Sequence, residues 1–150
     1  MLGYKGIFTP KNTEKYIGNV NNIQYRSLWE RACMEHFDKH PKILRWASEE
    51  IIIPYWDEIN QKQRRYFVDF YLEVKMENGS IQKMLVEIKP DKQQMLPKKR
   101  RNTKRYLEEV STFAINQAKW AAADIFAAKH NMIFERWGET ILRKLGIKIL

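Results

Sequence analysis

Cysteine is almost missing from this chain. Cys33 stands alone, so no internal disulfide can form, and no cysteine–histidine cluster has the spacing of a zinc site. The three histidines, His36, His40 and His130, are scattered and receive no role. Any metal bound here must therefore be held by oxygen ligands. No apolar run approaches the roughly 20 residues that cross a bilayer, and the N-terminus lacks the apolar segment of a signal peptide. A soluble, intracellular protein with no membrane partner is expected. Internal repeats and low-complexity linkers are also missing, so residues 1–150 are expected to form one domain.

Acidic residues are outnumbered, 18 against 27 Lys and Arg, which leaves a formal charge of +9 and points to a polyanionic partner. Nucleic acid is the first candidate. Apolar residues make up 44% of the chain, enough for a sizeable core.

Residues 1–24 carry Gly3, Gly6, Gly18, Pro10 and several asparagines with little periodicity, which predicts an irregular arm packed over the domain. From Arg26 to Lys39, Leu28, Trp29, Ala32, Cys33 and Phe37 recur at helical spacing, with Pro41 just beyond. Three strands are predicted next, Ile43 to Ile53 ending at Pro54, Tyr66 to Val74, and Met84 to Ile88. A long helix follows, with Tyr106, Val110, Phe113, Ala114, Gln117, Ala121 and Ile125 as its inner stripe. A short strand near Met132 to Glu135 and a terminal helix from about Glu139 complete the order α-β-β-β-α-β-α. This is an α/β pattern, a mixed sheet flanked by helices.

Chemistry concentrates on two of these strands. Even positions Tyr66, Val68, Phe70, Leu72 and Val74 make one apolar face, and Met84, Val86 and Ile88 continue it. Asp69 interrupts the opposite face of the first strand, while Glu87 and Lys89 project together from the second. Register decides whether they meet. A two-residue Asn78-Gly79 turn pairs positions summing to 157 and sends Asp69 to the wrong face. A three-residue Glu77-Asn78-Gly79 loop, with Gly79 in the left-handed conformation of a bulge, pairs positions summing to 156 and sets Asp69 opposite Glu87. Facing carboxylates with β-carbons about 5 Å apart repel unless a cation lies between them. Magnesium suits such hard oxygen donors, with manganese as a substitute.

Glu30 shares a helix face with Cys33, Met34 and Phe37 and is expected to aim inwards, towards the metal or Lys89. Gln117 interrupts the inner stripe of the long helix and is a candidate to position phosphate or water. The catalytic set is thus Glu30, Asp69, Glu87, Lys89 and Gln117, with Asp69, Glu87 and Glu30 as metal ligands. The bland alternative is a cross-strand charge cluster with no chemistry, and for Gln117 a buried amide that satisfies a backbone carbonyl. Glu49 and Glu50 are read as strand-edge charges. The segment 97–105 carries six basic residues in its last eight positions. Lys98, Lys99, Arg100, Arg101, Lys104 and Arg105, together with Lys119, are expected to contact DNA phosphates in a sequence-independent, salt-sensitive way.

With these residues in view, Asp69, Glu87-Ile88-Lys89 and Glu30 resemble the motifs of the PD-(D/E)XK nuclease superfamily. The resemblance implies a restriction-endonuclease-like core with a sheet of about four strands. Val68 stands where the superfamily name has proline. Arg26-Ser27-Leu28-Trp29-Glu30, Ser48-Glu49-Glu50-Ile51-Ile52-Ile53-Pro54-Tyr55, Tyr66-Phe67-Val68-Asp69-Phe70, Leu85-Val86-Glu87-Ile88-Lys89-Pro90 and Asn116-Gln117-Ala118-Lys119-Trp120 are similar to segments of the head completion nucleases of large tailed bacteriophages. The Ser-x-x-Glu helix also resembles that of transposon-end-cutting endonucleases. What the resemblance implies is a magnesium-dependent endonuclease of double-stranded DNA in the virion, at the capsid portal or neck, and in the host cytoplasm during assembly. It would process the packaged DNA end before tail attachment, beside portal or other head completion and neck proteins. Concerted double-strand cuts would require a homodimer. Two other readings remain. One is a non-catalytic DNA-end or portal-binding plug; the other is a sequence-specific regulator, disfavoured because no helix-turn-helix pattern is present.

Overall fold

The computed structural model describes residues 4–149. In chain order its elements are β1 (Gly6–Phe8), β2 (Ile23–Tyr25), α1 (Leu28–Lys39), β3 (Ile43–Ser48), β4 (Ile52–Asp57), β5 (Lys62–Phe67), β6 (Phe70–Lys75), β7 (Ile81–Ile88), α2 (Lys104–Lys129), β8 (Met132–Trp137) and α3 (Glu139–Lys144). Four strands form the central mixed sheet in the order β3-β6-β7-β8, antiparallel except for the parallel pair β7–β8. With helices on both faces this is a restriction-endonuclease-like core.

Each face of the sheet has its own core. On one, Trp29, Cys33, Met34 and Phe37 of α1 bury against Trp46, Phe70, Leu72, Val86 and Ile88. On the other, Trp120, Ala123 and Ala127 of α2 bury against Tyr71, Leu85, Tyr55 and Tyr66. Helix α1 begins where Ser27 caps it, Oγ accepting the Glu30 amide at 3.2 Å. No described helix is long and apolar enough to cross a membrane.

Several expectations are corrected. The N-terminal arm is not irregular throughout, because β1 and β2 pair antiparallel and Phe8, Tyr16 and Ile23 enter the core around Trp46. Residues 1–3 of that arm, Gly3 included, lie outside the described residues. The segment read as one strand to Ile53 is two, broken at Glu49, which takes a φ of +56°. Pro54 does not end it but lies within β4, which pairs only with β5 and so tolerates a residue without an N–H. The segment read as one strand from Tyr66 is also two, since Lys62–Phe67 belongs with β4 and Phe70–Lys75 with the main sheet. Across this break the even positions change sides, Tyr66 and Val68 joining the α2 core and Phe70 and Leu72 the α1 core.

The hairpin register is the expected one. Tyr71 pairs with Leu85 and Phe70 with Val86, positions summing to 156. The loop closes as Gly79 N–H donates to Met76 C=O at 2.9 Å and Met76 N–H to Ser80 C=O at 2.8 Å, with Gly79 at φ +85°.

Candidate active site

The ladder between β6 and β7 stops at Phe70–Val86, one pair short of Asp69. Asp69 sits instead in the link between β5 and β6, fixed by its backbone, whose carbonyl accepts the Glu49 N–H at 3.0 Å, while the preceding Val68 N–H donates to Ile51 C=O at 3.1 Å. Its carboxylate crosses to β7, where Oδ2 accepts the Ile88 N–H at 2.8 Å. That side chain satisfies a donor which the departing strand no longer serves. Asp69 is thus held against β7 beside Glu87, as the register requires.

Glu87, only 8% exposed, projects to the α2 side, where Tyr66 donates its hydroxyl to Oε1 at 2.6 Å. Lys89 Nζ lies 3.7 Å from Oε2. The Lys89 N–H continues the parallel ladder by donating to Trp137 C=O at 3.0 Å, so β8 anchors the strand end that carries the lysine. From α2 comes a second cation, Lys119, whose ammonium lies 5.7 Å from the Tyr66 ring centroid and whose charge lowers the pKa of Glu87.

Crowding of like charges shows in the ionisation of the carboxyls. Burial pushes Asp69 well above the usual carboxylate range, and the charges of Glu87 and Glu30 push it further. Burial also raises Glu87, against the opposing effects of the Tyr66 hydrogen bond and the two lysines. Glu30 is raised by burial and by the charges of Glu49 and Glu87. Glu30, Asp69, Glu87 and Lys89 therefore gather at one end of the sheet.

Glu30 has a structural partner as well. Its Oε2 accepts the Arg26 N–H at 2.7 Å, which closes the start of α1 over Ser27 in the manner of a capping box. Among the described residues, no three His, Cys, Asp or Glu side chains converge into a metal cage. The donor set fits a hard cation held by two carboxylates, Asp69 and Glu87, the number magnesium usually takes, with water and phosphate completing the octahedron. Glu30 stands beside that pair, with Oε2 engaged at the helix cap.

Gln117 is displaced from its expected position. It is exposed, and the buried stripe of α2 runs through Asn116, Trp120, Ala123 and Ala127, one residue out of phase with the predicted one. An alanine-rich helix offers two nearly equivalent apolar stripes, so periodicity alone chose the wrong one. The helix turns Lys119, not Gln117, towards Glu87. Of the basic segment, Lys98, Lys99, Arg100, Arg101, Lys104 and Arg105 are all exposed. Lys104 and Arg105 lie in the first turn of α2, and Arg100 and Arg105 share Glu109 at 2.6 and 3.4 Å.

Two features were missed in the sequence. Tyr66 counted as one more apolar even position, although a buried phenol needs a hydrogen-bond partner and that need was the available signal. Glu49, read as an edge charge, forms an ion pair with Arg26 at 2.9 Å and stands close enough to Glu30 to raise its pKa.

Residues 40–137, which include Asp69, Glu87, Lys89 and Lys119, match the family described as TnsA-like endonuclease N terminal. The chain belongs to this TnsA-like endonuclease family. It is 39% identical over 152 residues to the head completion nuclease of Enterobacteria phage T4, an alignment covering 98% of this chain and 99% of that protein. No solved structure matches. The TnsA-like segment begins after α1, so Glu30 and its cap fall outside it and inside the alignment with the phage protein.

Proposed function

We propose that this chain is a metal-dependent endonuclease that hydrolyses phosphodiester bonds in double-stranded DNA. The observation that carries the reading is the meeting of Asp69 and Glu87 at one strand end, with Lys89 Nζ 3.7 Å from Glu87. Asp69 and Glu87 would hold Mg2+, or Mn2+ in its place. When bound, the ion supplies charge neutralisation at the scissile phosphate and lowers the pKa of a coordinated water. The Ile88 N–H and the Tyr66 hydroxyl orient the two carboxylates, as outer-shell donors do in metal sites. Lys89 offsets charge developing on the phosphate or aligns the attacking water. Glu30 holds the end of α1 beside the pair. The basic residues 98–105 bind the DNA backbone without reading sequence.

The biological setting we propose is phage head completion, with processing of the packaged DNA end before tail attachment at the portal or neck of the virion. Its support is the alignment with the phage protein of that name over nearly the full length of both chains.

The test is incubation of the purified protein with linear and supercoiled duplex DNA in Mg2+, Mn2+ or EDTA, beside Glu87→Ala. Cleavage that needs metal and is lost in the variant is expected. Binding of DNA without cleavage under every condition would favour a DNA-end or portal-binding plug.

A further inference from the structure

A groove of about 510 Å3 runs along β5, and its walls include Tyr55, Lys62, Arg64, Arg65, Phe67 and Lys119 but no acidic side chain. Strand β5 pairs only with β4, which leaves its other edge free, and the groove takes in every β5 residue except Tyr66. Alternation sends Lys62 and Arg64 to the face shared with buried Tyr66, and Arg65 and Phe67 to the opposite face, so cations border the edge on both sides. Asp57 accepts from Arg64 Nε at 2.7 Å and neutralises that one guanidinium. Lys62 and Arg65 are exposed, and the Arg65 guanidinium lies 5.5 Å from the centroid of the Phe67 ring, itself 42% exposed.

Charges on a free strand edge can simply guard against edge-to-edge pairing. Such a guard needs only the strand's own side chains. Here a third cation, Lys119, arrives from α2 and closes the groove over Tyr55 and Tyr66, 5.9 and 5.7 Å from the two ring centroids. Tyr66 is the residue whose hydroxyl reaches Glu87. Lys119 therefore links the groove to the candidate active site, lining the one and acting by its charge on Glu87 in the other. An acidic protein partner would gain nothing from that continuity, whereas a nucleic-acid strand needs it.

We propose that this groove binds the phosphodiester backbone of the DNA strand that flanks the scissile bond, with Lys62, Arg65 and Lys119 meeting successive phosphates. The proposal rests on the nuclease reading above and adds a second basic track, separate from residues 98–105. The exposed Phe67 ring with Arg65 beside it offers a stacking surface where the strand is unpaired.

The test measures equilibrium binding of a short fluorescein-labelled DNA duplex in EDTA, by anisotropy across a salt series. Wild type is compared with the double variant Lys62→Gln/Arg65→Gln and with Lys39→Gln/Lys42→Gln, exposed lysines at and just past the C-terminal end of α1 that change the net charge equally. The groove variant is expected to bind about tenfold or more weakly and to lower the slope of log K against log salt by about 1.8, two phosphate contacts' worth. The distal variant keeps the wild-type slope. Wild-type behaviour in the groove variant, or an equal loss in the distal one, overturns the groove and leaves the nuclease reading standing. Failure of the wild type to bind duplex even at low salt overturns both.

Discussion

The Tyr66 hydroxyl donates to Glu87 Oε1 at 2.6 Å, a bond that ties β5, outside the main sheet, to the end of β7. It supplies a donor to a carboxylate whose pKa burial raises, and opposes that rise. Tyr66→Phe keeps the ring in the α2 core and removes only that donor. We expect cleavage activity or apparent metal affinity to fall about 10- to 100-fold, the usual cost of losing an outer-shell donor. Metal-dependence curves for the variant and wild type check this, and identical curves would remove Tyr66 from the site.

Asp57, buried at the tip of the β4–β5 hairpin, is the group with a clear acid signature. The Asn60 side chain, followed by the Asn60 N–H and Arg64, holds its pKa down to about 2 from an ordinary 3.8. A depressed folded-state pKa means that stability is present in full above the ordinary value and is lost as the pH falls towards 2. The stability gap between wild type and Asp57→Asn is therefore expected to be widest above pH 4 and to narrow below it. Urea unfolding midpoints across that range measure the gap.

Gly79 holds the register that brings Asp69 to Glu87. At φ +85°, in open space, a side chain there meets no clash but must adopt a backbone that L-residues avoid. Gly79→Ala should cost about 1–2 kcal/mol in urea unfolding. Gly79→Asn should cost less, because asparagine tolerates that region.

Lys15 acts far from the carboxylates, as a cap. Its Nζ donates to the carbonyls of Phe37, Asp38 and His40 at 2.6, 3.1 and 3.0 Å, closing the C-terminal end of α1. Burial lowers its pKa. Lys15→Met keeps the aliphatic stem and leaves those carbonyls without the ammonium, a loss of about 1–3 kcal/mol. Thermal unfolding of the variant tests it.

What the sequence disclosed depended on which physical rule governed each element. Helix α1, β7 and the 77–79 loop were legible because cap, alternation and turn chemistry agree there. The β4–β5 hairpin was not, since Lys62-Gln63-Arg64-Arg65 has no apolar alternation and Pro54 reads as a terminator. Both features fit only because this is a two-stranded ribbon with free edges. Asp69, Glu87 and Lys89 were found as a spacing and a register. Their supporting donors, Tyr66, the Ile88 N–H and Lys119, depend on a strand break and a helix phase that no local pattern reveals. The expected place of Gln117 on the inner stripe failed for the second of these reasons.

The central claim is that Asp69 and Glu87 together make a metal-dependent phosphodiesterase centre. The most direct test is the single-turnover rate of duplex cleavage by Asp69→Asn in saturating Mg2+, with its fold verified by circular dichroism. Asparagine keeps the shape and can still accept the Ile88 N–H, but it lacks the charge that a cation needs. The account predicts a loss of at least about a thousandfold, equivalent to roughly 4 kcal/mol of transition-state stabilisation. Cleavage at the wild-type rate by folded Asp69→Asn would contradict it.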